Sequence, residues 1–193
     1  MNRSLLFLSS AVILAGSVSM TSCKSRTAVA NDAIGKEIKI PCAGPKYTTD
    51  DKFFRASMSG ESSDMSFSKE KALTLTRQQL AASIETKIKS VTERYAKERE
   101  ISDKFEFDQK VENITREVVK QTLIDIRTAC EQTNALPNGN FRTFVALEVE
   151  KETLYNGLTS KISANAALKQ DFEISKFREV FEDEMKKFEE ENN

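Results

Sequence analysis

The chain has 193 residues, 39% hydrophobic and 31% charged, which is enough for one domain with a core of ordinary size. Its 29 basic and 30 acidic residues give a net charge of -1, so bulk electrostatics do not favour binding to nucleic acid. The sequence has no histidine, which excludes histidine-based triads and removes the commonest general base and transition-metal ligand. We therefore expect no enzyme activity, no cofactor and no metal site.

The N-terminus carries the features of an export signal. Asn2 and Arg3 form a short positive region, and Leu5–Val18 is apolar but too short and too rich in serine and glycine for a good transmembrane helix. Small residues then lead directly into Cys23, a pattern that resembles the lipobox of bacterial lipoproteins. The resemblance implies that residues 1–22 are removed and that Cys23 is lipidated, which anchors the chain to a membrane. The alternative is an ordinary cleaved signal.

Residues 23–36 are small and polar and show no periodicity, so we expect a flexible tether between the lipid and the folded domain. Lys24–Arg26 do not form the acidic cluster that some surface-export signals use. We therefore expect an outer-membrane lipoprotein that faces the periplasm.

Two further cysteines, Cys42 and Cys130, remain in the exported part of the chain. An oxidising compartment favours a disulfide between them, and the alternative is two unpaired or buried thiols. Their wide separation is not the CxxC spacing of thiol-disulfide enzymes, so nothing here indicates a redox activity.

Residues 37–162 are predicted to form an α+β domain that begins with a strand and a long helix. The alternation of side chains over Lys52–Met58 is typical of a strand, and polar residues 59–64 predict a turn. From Ser68 to about Arg99, apolar residues recur at steps of three and four, which predicts an amphipathic helix that Ser66 or Ser68 caps.

A second helix and a hairpin follow. Ser102 or Asp103 can cap this helix, and Glu106 lies three residues after Asp103, as in a capping box. Over Gln121–Cys130 and Phe141–Val149 the period changes to two, and an Asn-Gly pair lies in the loop between these runs. They predict an antiparallel hairpin with one face against the long helix. The other face is predicted to be wet, and three of its residues are the candidate contact face: Arg142, Phe144 and Glu148.

The C-terminal part is predicted to be helical. A short helix is expected from Lys151 to about Ile162, and an amphipathic helix with a frayed acidic end over residues 163–193. The aromatic stripe of the last helix is either core or a face for a partner. The predicted fold class is α+β, a long amphipathic helix on a small, about three-stranded antiparallel sheet, with additional C-terminal helices.

Several short segments between residues 50 and 155 match one family. They are Phe54–Ser57, Gly60, Ser63-Asp64, the helix residues Ala72, Leu80, Ile84 and Val91, and the strand Phe141–Val149 followed by Glu150-Lys151. Behind a lipobox, this order of elements resembles the LPP-twenty lipoprotein family of diderm bacterial envelopes. The resemblance implies a helix lying on a small antiparallel sheet and implies no enzyme activity.

These features together predict a non-catalytic, lipid-anchored envelope protein that binds another envelope protein or itself. The alternative is a periplasmic lipoprotein that binds a small ligand or a glycan, which requires a concave apolar pocket with convergent polar groups. A hydrolase without histidine would require a buried Ser-Lys or carboxylate pair in a cleft.

Overall fold

The computed structural model describes the backbone of residues 38–124 and 126–192. The predicted signal peptide, lipidated Cys23 and tether therefore lie outside the described residues. Within these ranges the chain forms three strands and four α-helices: β1 (Phe53–Ser62), α1 (Met65–Glu98), α2 (Lys104–Thr122), β2 (Arg127–Ala135), β3 (Phe141–Glu150), α3 (Lys151–Ala164) and α4 (Ile174–Asn192).

The strands form one antiparallel sheet in the order β1-β3-β2, with β3 at its centre. The predicted hairpin is β2 and β3, and β1 pairs with β3 along its whole length, from Phe53 opposite Glu150 to Ser62 opposite Phe141. Helix α1 packs on one face of this sheet, and the other helices follow. The predicted fold class is confirmed.

A row of buried residues along α1 faces the sheet. Leu80, Ile84 and Ile88 are buried at the predicted helical spacing, and they share one core with Phe54 and Leu147 of the sheet. The core is therefore a layer between one amphipathic helix and the apolar face of three strands.

Helix α1 begins at Met65 and is capped by Asp64, whose carboxylate accepts a hydrogen bond from the Phe67 amide at 2.9 Å. The predicted cap by Ser66 or Ser68 is wrong. Ser68 is instead fully buried, with its hydroxyl 2.7 Å from the hydroxyl of Thr143 on β3. The serine side chain belongs to the helix-sheet interface.

Two strand predictions need correction. Strand β1 continues to Ser62, so the predicted turn over residues 59–64 is wrong. The strand predicted from Gln121 begins only at Arg127, because α2 continues to Thr122, whose hydroxyl donates to the Val118 carbonyl at 2.8 Å within the helix.

The C-terminal helices complete the same core. Leu154, Tyr155 and Leu158 of α3 are buried as predicted. Helix α4 begins at Ile174, about ten residues later than predicted, because residues 165–173 form turns. The aromatic stripe is core: Phe177 and other α4 residues are buried against α1 and α3, so residues 163–190 belong to one compact unit with residues 39–162.

The predicted frayed end is helical in the described residues. The α4 backbone is helical through Asn192, and the Glu189 carboxylate accepts a 2.7 Å hydrogen bond from Lys151, whose side chain is buried at the start of α3. Asn193 lies outside the described residues. The Lys151–Glu189 ion pair therefore ties the last turns of α4 to the end of the sheet.

Candidate functional site

The face of the sheet opposite α1 carries the predicted contact residues. The strand register aligns its side chains in four rows across β1, β3 and β2. These rows are Arg55–Glu148–Arg127, Ser57–Ala146–Cys130, Ser59–Phe144–Gln132 and Glu61–Arg142–Asn134.

The first row is a charge cluster around a buried carboxylate. Glu148 is only 4% exposed, and its carboxylate accepts hydrogen bonds from the Nε atoms of Arg55, at 2.7 Å, and Arg127. Arg55 also binds the Asp50 carboxylate and donates to the Thr48 carbonyl at 3.0 Å. The prediction that Glu148 lies on a wet face is therefore wrong, because residues 48–50 fold back against this row and Phe53 lies beneath both arginines.

Charge pairing governs the electrostatics of this row. Burial alone would lower the pKa of Arg55, but its hydrogen bonds to Asp50 and Glu148 outweigh burial and raise that pKa. Burial alone would raise the pKa of Asp50. The hydrogen bonds from Arg55 and from two backbone amides outweigh burial, so the pKa of Asp50 lies below its ordinary value. Asp50 and Arg55 therefore stay charged near neutral pH, and their contact is an ion pair rather than an acid-base pair.

The second row is closed by a disulfide. Cys42 and Cys130, whose pairing the sequence favoured, are bonded in the structure, with their Cα atoms 5.5 Å apart. The Ser57 hydroxyl donates to the Cys42 carbonyl at 2.6 Å, and Cys42 is buried. The segment around Cys42 is thus fixed to this row of the sheet by one covalent bond and one hydrogen bond.

The last two rows are open, and we call them the open face: Ser59, Glu61, Gln132, Asn134, Arg142 and Phe144. Phe144 is half-buried between Ser59 and Gln132, which are both exposed. Arg142 is exposed and binds the Glu61 carboxylate. The structure therefore keeps Arg142 and Phe144 together at the surface, and separates them from Glu148.

Hydrogen bonds preorganise the polar edge of the open face. Glu61 accepts hydrogen bonds from Asn140, at 2.9 Å, and from Arg142, and these bonds lower its pKa to about 2. Gln132 donates to the Asn134 side chain at 3.0 Å. Glu61 is therefore ionised throughout the physiological range, and the polar groups around Phe144 are held in fixed positions.

The sequence did not indicate Glu61, Gln132 or Arg55 as parts of this face. The sequence predicts a turn at Glu61, and it does not place Gln132 on either face of the sheet. The one available signal was charge: Arg55 of β1 and Glu148 of β3 lie directly opposite each other, as oppositely charged cross-strand pairs do. Using that signal requires the β1–β3 register, which a single sequence does not supply.

Comparisons with protein-family models, curated proteins and solved structures find no match to this chain. The resemblance to the LPP-twenty lipoproteins therefore stays a prediction. Among residues 38–124 and 126–192, no helix is long and apolar enough to cross a membrane. In the same part of the chain, no three acidic or cysteine side chains are placed to hold a metal ion.

Proposed function

We propose that this protein is a non-catalytic, lipid-anchored component of a bacterial cell envelope that binds another envelope protein, or a second copy of itself, through the open face. The observation that carries the proposal is Phe144, an aromatic side chain left partly exposed on the central strand of the sheet, within the open face. Its neighbours Arg142 and Gln132 supply a charged and a polar rim.

The composition of the open face suits a protein interface. Aromatic residues and arginine are enriched where proteins bind each other, and a polar rim surrounds the apolar centre of such contacts. Phe144 and Arg142 lie on the central strand of the sheet, so little backbone freedom is lost on binding. The disulfide and the Glu148 cluster stiffen the adjoining rows, which adds to this preorganisation.

The N-terminal features support an envelope location. Two features from different parts of the chain support export from the cytoplasm. One is the lipobox-like sequence before Cys23, and the other is the disulfide, since disulfides form in oxidising compartments. The outer membrane, with the domain facing the periplasm, is the location that we infer from the residues after Cys23.

Replacement of the anchor residue tests this proposal. Cys23→Ala removes the sulfur atom to which the lipid is proposed to be attached, so the variant should move from the membrane fraction to the soluble fraction of lysed cells. The control is the wild-type protein, whose N-terminal peptide should carry the mass of its acyl chains. A variant that stays with membranes after a salt wash would contradict lipid anchoring.

A small-ligand role is the second candidate, favoured by one groove between the helices and the sheet. This groove of about 450 Å³ has the apolar residues Phe53, Val118 and Val149 in its wall, and Arg127 and Lys161 beside them. Native mass spectrometry of protein purified from cells tests this role. A co-purified small molecule would support it, and the bare protein mass alone would leave the interface as the better account.

A further inference from the structure

A second groove, separate from the open face, lies between α1 and α2. It has a volume of about 460 Å³ and is lined by residues 85–93 of α1 and residues 105–116 of α2. Its buried part contains Thr92 and Thr115, whose hydroxyls donate to carbonyls of their own helices at 2.9 and 2.8 Å. These hydroxyls are satisfied within the fold, and the groove is large enough for a small organic molecule.

The groove carries an excess of negative charge. Four carboxylates and two cations line it, which gives a net charge of -2 (2 minus 4). Lys89 lies 3.8 Å from Glu93, and Arg116 binds Glu112, so both cations already have partners on their own helices. Among the described residues, Glu85 and Asp108 have no ion-pair partner.

Asp108 is the unusual member of this set. Its Oδ1 atom is buried, and no hydrogen-bond donor of the described residues reaches it. Buried polar atoms are rarely left unpaired, because an unpaired one destabilises the fold. Burial raises the pKa of Asp108 and the charge of Glu93 raises it further, while Lys89 and Lys104 offset only part of the effect. Among the described residues, no cation forms an ion pair with this carboxyl group, although Lys89 and Lys104 lie near enough to act on its pKa.

An aromatic ring lies at the groove beside this carboxyl group. Phe105 is 74% exposed and precedes Asp108 by three residues on α2, so the two side chains lie on the same side of the helix. An exposed phenyl ring offers apolar contact, and its face attracts a cation. The groove thus combines an unpaired carboxylate, net negative charge and an aromatic surface.

We propose that the groove between α1 and α2 binds a small organic cation, with an alkyl or aryl ammonium group at the Asp108 carboxylate and its apolar part against Phe105. The ammonium group would bring a charged hydrogen-bond donor to a carboxyl group that has no ion-pair partner among the described residues. A metal ion fits less well, because no group of three ligating side chains exists among the described residues.

Calorimetric titration of the full-length protein with benzylammonium chloride tests the proposal, with benzyl alcohol as the neutral control of nearly the same shape. We expect saturable binding of one benzylammonium per chain, and at least tenfold weaker binding of the alcohol. Equal binding of the two probes, or no saturable binding of the cation, would overturn the proposal.

Two variants locate the site. Asp108→Asn keeps the shape of the side chain and removes its charge, so it should weaken benzylammonium binding at least tenfold. The matched control is Glu112→Gln in the same groove, whose carboxylate is already paired with Arg116 and whose loss should change the affinity less than threefold. Equal effects of both variants would overturn the assignment to Asp108.

Phe105→Ala provides a test that does not depend on a buried group. Because Phe105 is exposed, its truncation should leave the fold intact, which thermal unfolding can verify. We expect a three- to tenfold loss of affinity for benzylammonium. An unchanged affinity in both Phe105→Ala and Asp108→Asn would place any binding elsewhere and overturn the proposal.

Discussion

Gly60 sets how closely strand β1 approaches helix α1. A Cβ atom at this position would lie 2.6 Å from the Ala72 amide nitrogen and 2.6 Å from the Ser68 carbonyl oxygen, closer than atoms can pack. The short distance also brings the Ser68 hydroxyl to Thr143, which is in turn 2.8 Å from the Thr133 hydroxyl. A single missing side chain therefore permits a hydrogen-bonded chain of three hydroxyls across the interface.

The change Gly60→Ala should be strongly destabilising, because both clashing atoms belong to backbone and cannot move aside. We expect a loss of about 3 kcal/mol or more in the free energy of unfolding, at the upper end of overpacking effects. Urea denaturation measures it. The control Ser59→Ala, at the exposed neighbouring position, should stay within about 0.5 kcal/mol of the wild type. Similar stability of the two variants would show that the contact is looser than described.

Single-residue roles were the part of the structure that the sequence predicted least well. Ser68 was expected to cap α1, and the residues around Gly60 were expected to form a turn. Serine and glycine favour caps and turns locally, and here tertiary packing overrides that preference, since small residues are also what a close helix-strand contact requires. In contrast, one of the two caps that the sequence predicts for α2 is observed: the Asp103 carboxylate accepts a hydrogen bond from the Glu106 amide at 2.9 Å.

At the scale of elements, one β-bulge decides which face Cys130 occupies. The register of β2 shifts between Thr128 and Cys130, so Thr128 lies opposite Leu147 on the helix side while Cys130 lies opposite Ala146 on the other side. Strict alternation would have placed both residues on one face, as the sequence predicted, and would have turned Cys130 away from Cys42. A bulge is a property of two paired strands, so periodicity in one strand does not reveal it.

The Arg55–Glu148–Arg127 row joins all three strands, and substitutions in it should lower the free energy of unfolding by very different amounts. Glu148→Ala leaves Arg55, which is 11% exposed, with only Asp50 as a charged partner, and we expect a loss of about 3 kcal/mol. Arg127→Ala removes a side chain that is 69% exposed, and we expect at most about 1 kcal/mol. Both values come from urea denaturation at neutral pH. Equal losses would mean that Glu148 is not buried as described.

The helices show where periodicity is sufficient and where it fails. The apolar stripe of α1 predicted its length to within three residues at each end, because the pattern is long and uninterrupted. The start of α4 was misplaced, since residues 165–173 contain alanine and leucine, which favour helix, yet form turns. Tyr95 of α1 holds these turns: its hydroxyl donates to the Asp171 carbonyl at 3.0 Å and accepts from the Glu173 amide at 2.7 Å. No local sequence pattern indicates this contact between Tyr95 and the backbone of residues 171–173.

At the scale of the whole molecule, the disulfide attaches residues 42–50 to a domain whose core is otherwise built without them. Its cysteines are 88 residues apart, and the chain-entropy model assigns a loop of this size about 4 kcal/mol of stabilisation. Reduction should lower the free energy of unfolding by about that amount while the helical circular dichroism signal persists. Hydrogen exchange should become faster at residues 42–50, and the most protected amides of α1, which exchange through global unfolding, should lose protection by the same free energy.

The double variant Cys42→Ala/Cys130→Ala should reproduce the effect of reduction, and reductant should then have no further effect on it. Equal stability of the oxidised and reduced wild-type protein would contradict a stabilising role for the bond.

The fold class could be predicted because helix and strand periods are local properties. The folding back of residues 42–50 could not, because this segment has no period and is held by partners far along the chain.

The most direct test of the central claim, that the open face is a binding surface of an anchored protein, is site-specific cross-linking in intact cells. Phe144 is replaced by the photoreactive residue benzoylphenylalanine, and the matched control carries the same residue in place of exposed Lys120 on α2. We predict one discrete cross-linked product from position 144 and none from position 120. No product at position 144, or the same product from both positions, would contradict the claim.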